Sequence, residues 1–504
     1  MRTDVLIVGA GPTGLVLALW LTKQGLKVRI VDRSAGPGET SRAMAVQART
    51  LELYTQLGLT EAVLNAGVKN PSMNIWAGGK RKAHLEMSGA GEDVTPYPYI
   101  LTYPQDLHEK LLVERLLDLG ISVERQTELV SFEDRGSDIS ATLRLPDGGD
   151  EVVEALYLAG CDGARSPVRH GIGAGFEGGT YKQLFYVADV VVSGLEPTGE
   201  AHIALDSSDF VAILSYGADR NRLIGIVQDD RAEQAETLTF DDVSHAAIDG
   251  LGAKIEKVNW FSTYRVHHRV TDRFRQGRVF LLGDAAHVHS PAGGQGMNTG
   301  IADAINLAWK LTAVVQGRAP DGLLDSYQQE RRAFARKLVD TTDKIFSAVT
   351  AQSDFANFIR TRIVPTVAGF AYLLDAPKEF MFRMISQTSL SYRESALSHG
   401  EAGKVHGGDR LPWVRADGAD NYGAMSEIGW QVHVYGSASP ELVQWADRLG
   451  VRLHVFTWSA EHRKAGLAQD AAYLLRPDTY VAAANAAGTP NVFDAYLAER
   501  QISL

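Results

Sequence analysis

The amino-acid sequence predicts an α/β fold divided into several domains. Three observations lead to this class: a strand–turn–helix–strand unit at residues 2–33, a mainly β stretch at 178–256, and a separate α/β pattern after residue 400. The length of 504 residues fits two or three domains, at about 150 residues for each. The first unit carries the clearest chemical signal.

Three glycines with the spacing G-x-G-x-x-G follow the first predicted strand, Asp4 to Val8. Gly9 permits a tight turn, Gly11 lets the backbone approach a pyrophosphate, and Gly14 lets a helix pack closely on the strand. The motif predicts a dinucleotide site in a Rossmann-like domain.

The elements after the glycines support that prediction. A helix from Thr13 to Gln24 directs its free N–H groups at the phosphate. A second strand, Lys27 to Val31, ends in Asp32, whose carboxylate is placed to hydrogen-bond a ribose. The motif alone does not separate FAD from NAD.

Composition narrows the class of protein. A net charge of −11 argues against nucleic acid as the main partner. The single cysteine, Cys161, excludes an internal disulfide and a CxxC redox pair, which fits a cytoplasmic location. No uninterrupted apolar run reaches the length of about 18 residues that a transmembrane helix needs, so no membrane span is expected.

The predicted nucleotide-binding domain continues with interrupting strands. Residues 71–103 alternate as strands that leave the domain, and Gln105 to Leu119 has the pattern of an amphipathic helix. Four further strands are predicted at 122–125, 129–134, 140–145 and 151–159. A turn at Pro146–Gly149 joins the last two of them as a hairpin. A βαβ core interrupted in this way is typical of FAD domains rather than of NAD domains.

Two further landmarks follow. In Tyr157 to Arg169, a predicted apolar strand is followed by Asp162–Gly163. In Arg278 to Leu311, a predicted buried strand is followed by Gly283–Asp284 and a glycine-rich loop. Between them, strands are predicted at 186–192, 210–216 and 222–229. After the loop a helix is predicted to start near Asn298 or Thr299, either of which could cap it. Its N-terminus suits the negative edge of a reduced flavin.

The chain after residue 311 is predicted to be helical at first and then to form a separate α/β unit. A helix is predicted at 323–349 and a boundary at 400–412. The last hundred residues contain predicted strands at 431–435 and 452–458, a helix at 440–449 and a hairpin around Arg476–Asp478. His287 and His289 form an H-x-H without a third metal ligand nearby, so no metal site is predicted and His287 is expected to fix the loop by hydrogen bonding.

Three motifs, in order, resemble those of the class A FAD-dependent aromatic hydroxylases, the single-component flavoprotein monooxygenases. They are GAGPTG, CDGARSPVR and GDAAHVHSPAGGQGMNTGIADAINLAWKL, and the resemblance covers about residues 2–345. It implies an FAD-binding domain at 1–180, with inserted strands at 71–103, that is completed by 261–399. It also implies a substrate-binding β-sheet domain at 181–260.

The tail, 400–504, resembles the thioredoxin-like C-terminal domain of the phenol and polyketide hydroxylase branch. The segment LLRPDTYVA resembles a hairpin in which that branch often has Asp–Gly. Thr479 stands here where the glycine would be, which makes a tight turn less favourable. With no second cysteine, the domain is expected to serve in packing or in contact between two copies of the chain.

The resemblance implies roles for individual residues. Asp162 would support both cofactors indirectly, and Pro291 would lie near the substrate. The residues alone favour a solvated Arg42, whereas the resemblance places it near the pyrophosphate. The other implied FAD contacts are Gly9, Gly11, Pro12, Thr13 and Gly14 for the ADP part, Asp32 and Arg33 for the ribose region, Gln105 for the pyrophosphate, Gly283 and Asp284 for the ribityl chain, and Gly296, Met297 and Asn298 for the ring.

The implied activity is oxygenation of a phenolic or polycyclic aromatic substrate. NADPH or NADH would reduce FAD, and a C4a-hydroperoxyflavin formed with O2 would transfer oxygen to the ring. Tyr216 and Arg222 are candidates for assisting phenol deprotonation, although structural roles are favoured for both. The expected partners are a small aromatic substrate and O2, with a homodimer possible and no nucleic acid or membrane.

Three alternatives stay open at this point. The same cofactor chemistry supports epoxidation or Baeyer–Villiger-type insertion. An NAD-dependent dehydrogenase without flavin is disfavoured by the Gly283–Asp284 motif. A non-catalytic protein that binds flavin and an aromatic ligand would share the motifs but would not turn its ligand over.

Overall fold

A computed structural model describes residues 2–38, 43–70, 72–86, 88–195, 199–205, 210–217, 220–227, 237–290, 294–350 and 375–504. Its strands up to residue 288 are β1 (Arg2–Val8), β2 (Val28–Val31), β3 (Ala45–Val46), β4 (Val68–Asn70), β5 (Ser72–Ala77), β6 (Lys80–Glu86), β7 (Ile100–Thr102), β8 (Glu128–Asp134), β9 (Ile139–Arg144), β10 (Asp150–Gly160), β11 (Phe176–Ser193), β12 (Ala201–Leu205), β13 (Phe210–Ser215), β14 (Asn221–Val227), β15 (Lys254–Thr271), β16 (Arg275–Gln276), β17 (Val279–Leu281) and β18 (His287–Val288).

The later strands are short. They are β19 (Glu401–Ala402), β20 (Val405–His406), β21 (Arg415–Ala416), β22 (Ala419–Asp420), β23 (Gln431–Tyr435), β24 (Arg452–Phe456), β25 (Ala472–Leu475) and β26 (Val481–Asn485). The α-helices are α1 (Pro12–Lys23), α2 (Ala48–Tyr54), α3 (Thr60–Ala66), α4 (Ser88–Gly91), α5 (Gln105–Asp118), α6 (Pro167–Gly171), α7 (Ala246–Gly250), α8 (Gly296–Val315), α9 (Asp325–Thr350), α10 (Asp375–Ile385), α11 (Pro440–Leu449), α12 (Ala460–Lys464) and α13 (Asn491–Arg500).

The nucleotide-binding unit is a seven-stranded sheet with the central order β16-β17-β10-β1-β2. Strands β17, β10, β1 and β2 run parallel, and β8 and β9 extend the sheet from β10 as an antiparallel hairpin. The strand predicted at 122–125 does not form, because only Glu124 makes an isolated bridge, to Val31. Helices α1 and α8 pack against each other and are buried along most of their length, as the apolar runs of their sequences require.

An eight-stranded sheet with the order β18-β15-β11-β14-β13-β12-β5-β6 forms the second layer. The segment 71–103, predicted to contain strands that leave the nucleotide-binding domain and are inserted in its sequence, contains β5 and β6. Both belong to this second sheet, because β5 pairs in parallel with β12 and β6 pairs with β5. Strand β15 continues past residue 260 to Thr271. The sheet therefore draws on chain before and after the 181–260 segment.

The C-terminal unit contains a four-stranded sheet with the order β24-β23-β25-β26. Strands β23 and β24 are parallel and the other neighbours are antiparallel, with α11 and α13 in the same unit. The predicted strands, helix and hairpin all form, while the thioredoxin-like assignment stays a prediction. One cluster of buried apolar side chains includes residues of this unit, such as Val432, Trp445 and Phe493, together with the core of the first sheet.

Within the described ranges, no helix combines the length and the apolar character needed to cross a bilayer.

Candidate active site

The register of the first sheet brings the sequence motifs to one edge. Val8 lies opposite both Gly160 and Val31, and Gly160 lies opposite Leu281. Because these strands are parallel, the residues that follow them meet at their carboxyl ends. That edge is where α/β sheets bind ligands. The glycine turn, Asp32, the Asp162 motif and the Gly283–Asp284 motif therefore line one site.

The glycine turn has the geometry of a phosphate cradle. Gly9 has φ +106°, and a Cβ atom on it would lie 2.2 Å from the Cys161 carbonyl oxygen. A Cβ atom on Gly14 would lie 2.0 Å from the Gly9 carbonyl oxygen. A Cβ atom on Gly11 would meet no atom within 4 Å. The first and third glycines are thus required by packing, whereas Gly11 leaves room for a ligand at the start of α1, which fits a pyrophosphate.

Asp32 fixes this turn from the neighbouring strand. Its carboxylate accepts hydrogen bonds from the backbone N–H of Ala10 at 2.6 Å and of Ser34 at 2.8 Å. Arg125 lies 3.8 Å away from it, and Arg33 is exposed. Asp32 therefore holds the glycine turn and the loop after β2 in place, a role that its spacing from the glycines does not indicate. Its contact with a ribose stays a prediction.

The first and third motifs are in direct contact. Pro12 opens α1 and is buried, and Thr13 follows it. A Cβ atom on Gly283 would lie 2.7 Å from the Thr13 hydroxyl, and one on Gly300 would lie 2.2 Å from it. The Gly283 loop and the first turns of α8 consequently close on the N-terminus of α1, a contact that only glycines allow.

The second and third motifs are linked by Arg169. Its guanidinium donates to the Ala285 carbonyl at 2.9 Å and to the Ala164 carbonyl at 2.7 Å. Asp162 accepts from the Val168 N–H at 2.9 Å and so supports α6. Burial raises the pKa of Asp162. Asp284 is exposed between two buried neighbours, Gly283 and Ala285, so its side chain is presented to the open side of the site.

Helix α8 begins at Gly296, earlier than predicted, with Gln295 as N-cap. Asn298 does not cap it. The buried Asn298 amide instead accepts from the Gln47 N–H and the Thr50 hydroxyl, and donates to the carbonyls of Ala45 and Gly294. With its side chain engaged, Asn298 has only its backbone to offer a flavin ring.

Gly296 and Met297, which directly precede that asparagine, are half-buried. Gln105 opens α5, and its side chain donates to Glu109 at 2.8 Å while its backbone N–H donates to Ala43. Arg42 and Pro291 lie outside the described residues, so their roles stay predictions.

The eight-stranded sheet presents an apolar face toward the start of α8. This face lies opposite the α7 layer, and register places on it the half-buried side chains Met73, Ile203, Phe210, Ala212, Leu214 and Ile224. Met381 of α10 packs on this face. The same helix ends at Ile385, whose carbonyl accepts from the Gln295 side chain at 2.8 Å. Helix α10 thus contacts both the apolar face and the N-cap residue of α8, through residues about one helix turn apart.

A polar group lies at one end of this face. Asp189 accepts hydrogen bonds from the Tyr216 hydroxyl, from Arg220 at 2.7 Å and from Asn259 at 3.3 Å. Burial opposes ionisation of Asp189, yet these hydrogen bonds lower its pKa overall. Burial, with the bond to Asp189, raises the pKa of Tyr216 to about 12. Tyr216 is therefore a hydrogen-bond donor at neutral pH and not a base.

Arg222 is almost fully buried beside this group. It lies opposite Asp189 in register and stacks over Tyr216 and Trp260, at 5.6 and 5.5 Å from their ring centres. The sequence pattern points to Tyr216 and Arg222 but not to Asp189. The available signal was a lone acidic residue inside the apolar run Tyr186 to Val192.

Comparisons with known proteins agree with this geometry. Residues 2–342 match the family described as FAD binding domain. The chain is 31% identical to the flavin-dependent monooxygenase of Mycobacteroides abscessus over 492 residues, covering 95% of this chain and 96% of that protein. It is 32% identical to the 6-methylpretetramide 4-monooxygenase of Streptomyces rimosus over 510 residues, covering 95% and 90%.

Solved structures give the same result. The anhydrotetracycline hydroxylase OxyS of Streptomyces rimosus superposes with a TM-score of 0.79 at 30% identity, covering 100% of this chain and 99% of that one. Aklavinone-11 hydroxylase in a ternary complex with FAD and aklavinone has a TM-score of 0.79 at 25% identity, with the same coverage. The chain therefore belongs to the class A FAD-dependent aromatic hydroxylases, a family of flavoprotein monooxygenases.

Proposed function

We propose that this protein hydroxylates a phenolic, polycyclic aromatic substrate with electrons from NADPH or NADH. The observation that carries the proposal is the half-buried apolar face of the eight-stranded sheet, which α10 joins to the N-terminus of α8. Such a face can hold a flat aromatic skeleton beside the position that the motifs give to the flavin.

The described residues fit FAD at the carboxyl edge of the first sheet. The open approach at Gly11 and the N-terminus of α1 would hold the pyrophosphate. Asp284, exposed at the same edge, would hold the ribityl chain, and the amides of Gly296 to Asn298 would face the ring. When bound, FAD supplies the electron transfer and oxygen activation. The protein supplies binding, orientation and exclusion of water.

The size and polarity of the face favour a substrate larger than simple phenol. Relatives that match across most of the chain are named for 6-methylpretetramide and rifampicin. Half-buried side chains from Met73 on β5 to Ile224 on β14 span four adjacent strands, about 14 Å at the usual strand spacing. That width suits several fused rings. Arg222, which is cationic, would orient an oxygen substituent at one end.

The test is substrate-stimulated turnover. The FAD-loaded protein is assayed for oxidation of NADPH and of NADH, with O2 uptake, against phenols, hydroxybenzoates and aromatic polyketides. We expect strong stimulation by a polycyclic phenol and a product heavier by one oxygen in mass spectrometry. Stimulation by single-ring phenols alone would contradict the substrate size. Bound FAD without stimulation by any compound would contradict the catalytic proposal.

A further inference from the structure

A single carboxylate, that of Asp303 on α8, binds both ends of the loop that carries Asp284. Its Oδ2 accepts a hydrogen bond from the Gly283 N–H at 3.0 Å and lies 2.7 Å from Nε2 of His287. Its Oδ1 accepts from Nε of Arg331 at 2.6 Å. Asp303 has 0% exposure, so water does not compete for these bonds.

The loop it holds connects the two large sheets. The preceding strand, β17, belongs to the nucleotide-binding sheet, and the following strand, β18, pairs with β15 of the other sheet. Gly283 and His287 bracket Asp284. Fixing both ends of so short a loop fixes where the Asp284 side chain points relative to both sheets.

The carboxylate is charged despite its burial. Burial alone raises the pKa of Asp303, but Arg331 and His287 more than offset this and lower it. Removing either the charge or its partners would leave an unmatched group in the interior, which such sites tolerate poorly.

Arg331 also donates hydrogen bonds to two groups other than Asp303. It donates to the Thr299 carbonyl at 3.2 Å, in the first turn of α8, and to the Tyr392 hydroxyl at 2.8 Å. Arg331 has 0% exposure. The guanidinium therefore ties the start of α8, where the flavin ring is proposed to lie, to the same carboxylate that holds the loop.

We propose that Asp303 is a positioning residue for the cofactor: by fixing Gly283 and His287, it sets the Asp284 loop in the conformation that binds the ribityl chain. The inference rests on the proposed placement of FAD along this loop. It does not depend on which substrate the enzyme oxidises or on whether turnover is observed.

The test compares Asp303→Asn with Glu330→Gln in the full chain. Glu330, on α9, is a matched control because it is also a buried, ion-paired carboxylate, bonded to Lys310 and Arg476. Each apoprotein is titrated with FAD, following flavin fluorescence and the visible spectrum, and its thermal unfolding is measured with and without FAD. These readouts separate loss of cofactor positioning from loss of general stability.

We expect both variants to unfold at a lower temperature than wild type. Asp303→Asn should also raise the Kd for FAD by about tenfold or more, the factor that one lost charge-assisted hydrogen bond produces. Glu330→Gln should change that Kd by less than about threefold. A wild-type Kd in Asp303→Asn, or an equal rise in both variants, would overturn the proposal.

If Asp303→Asn does not fold, two variants of its partner, His287→Ala and His287→Gln, test the proposal. The amide of His287→Gln can still donate to Asp303, whereas the methyl group of His287→Ala cannot. We expect the Kd for FAD to rise in His287→Ala and to be largely restored in His287→Gln. A wild-type Kd in His287→Ala, or no difference between the two, would overturn the proposal. If these variants change the Kd for FAD as expected but no substrate stimulates turnover, the role of Asp303 is supported and only the proposed function is contradicted.

Discussion

Arg476 in the hairpin between β25 and β26 donates two hydrogen bonds to Glu330 on α9, at 2.6 and 3.1 Å. Both side chains have 0% exposure. Arg476 also pairs with Asp478, whose carboxylate accepts from the Trp309 indole of α8 at 3.1 Å. The hairpin of the C-terminal unit thus enters the interior of the nucleotide-binding unit, where its Arg476–Asp478 pair joins the buried ion pair of Glu330 and Lys310.

Arg476→Met should therefore destabilise the protein by about 3–5 kcal/mol, because it removes one partner from a buried ion pair. Arg393→Ala is the matched control, since Arg393 is half-exposed where it pairs with Asp409. Its loss should be worth about 1 kcal/mol or less. Chemical denaturation of both variants measures the difference, and equal destabilisation would contradict the assignment of Arg476.

Alanine substitutions at two glycines of the same motif should affect different properties, FAD binding in one variant and stability in the other. Gly11 has φ −76° and open space around it, so Gly11→Ala should unfold within about 0.5 kcal/mol of wild type but bind FAD more weakly. Gly14→Ala places its Cβ against the Gly9 carbonyl and should lose about 1–3 kcal/mol or more. Apoprotein unfolding and FAD titration test both. Unchanged FAD binding by Gly11→Ala would argue against a pyrophosphate there.

Asp284→Ala should weaken FAD retention while leaving the fold intact. The side chain is exposed at the carboxyl end of β17, so the free energy of unfolding should change by less than about 0.5 kcal/mol. Absorbance at the flavin wavelengths after gel filtration measures retention. Asp325→Ala, at another exposed aspartate, is the control. Equal retention by Asp284→Ala and wild type would remove Asp284 from the cofactor site.

His108 should make the fold sensitive to mild acid. Burial lowers the pKa of His108 to about 4, and its Nε2 lies 2.8 Å from the Tyr54 hydroxyl. An unfolded histidine titrates near about 6.5. Between these values the unfolded chain binds more protons, so stability falls as pH falls from about 6.5 to 4, by about 3 kcal/mol for this residue.

His108→Gln should reduce that loss. The free energy of unfolding of the apoprotein is measured at pH 7 and at pH 5 for wild type and variant. A smaller difference in His108→Gln supports a buried neutral histidine. An identical pH dependence in the two proteins would show that His108 titrates normally in the folded state.

Much of the nucleotide-binding unit could be predicted from sequence because its signals are local. The apolar run of β1, the glycine spacing and the helical run of α1 all lie within residues 2–33. Given parallel strands, the position of each motif after a strand is enough to predict that the motifs meet at one edge. The family resemblance added the identity of the cofactor, which spacing could not supply.

The sequence pattern could not predict which sheet β5 and β6 belong to. Alternation of side chains shows that a segment has one buried face, but it does not tell which sheet the segment joins. The pairing of β5 with β12 joins Met73 to Ala201 across a long stretch of chain. The pattern in 71–103 therefore predicts strands that leave the nucleotide-binding domain, but it does not predict which sheet they join.

The buried charges were also missed, for a related reason. Asp303, Asn306 and Lys310 recur at helical spacing, a polar stripe that normally faces water. In the structure, all three are buried against Glu330 and Arg331 of α9 and the distant Arg476. A helix pattern contains no information about such partners, so the sequence does not show that these residues are buried.

Thr479 shows how context overrides turn preference. The hairpin forms although Thr479 adopts φ +66°, a conformation that favours glycine. Its N–H donates to the Arg476 carbonyl, and its hydroxyl accepts from Arg49 of α2 at 2.9 Å. A hydrogen bond from a buried guanidinium can offset the strain, which explains a residue that the sequence marks as unfavourable.

The interior shared by the C-terminal unit and the first sheet limits how such proteins can be recombined. A chimera that swaps residues after about 400 for those of a relative would replace Arg476, which pairs with Glu330, and Arg410, which pairs with Glu52. Unless the relative supplies equivalent cations, each of these buried carboxylates would lose one of its ion-pair partners. The two parts are therefore expected to change together over evolution. If the proposed substrate site is correct, an exchange of substrate preference between relatives is easier through the eight-stranded sheet than through the tail.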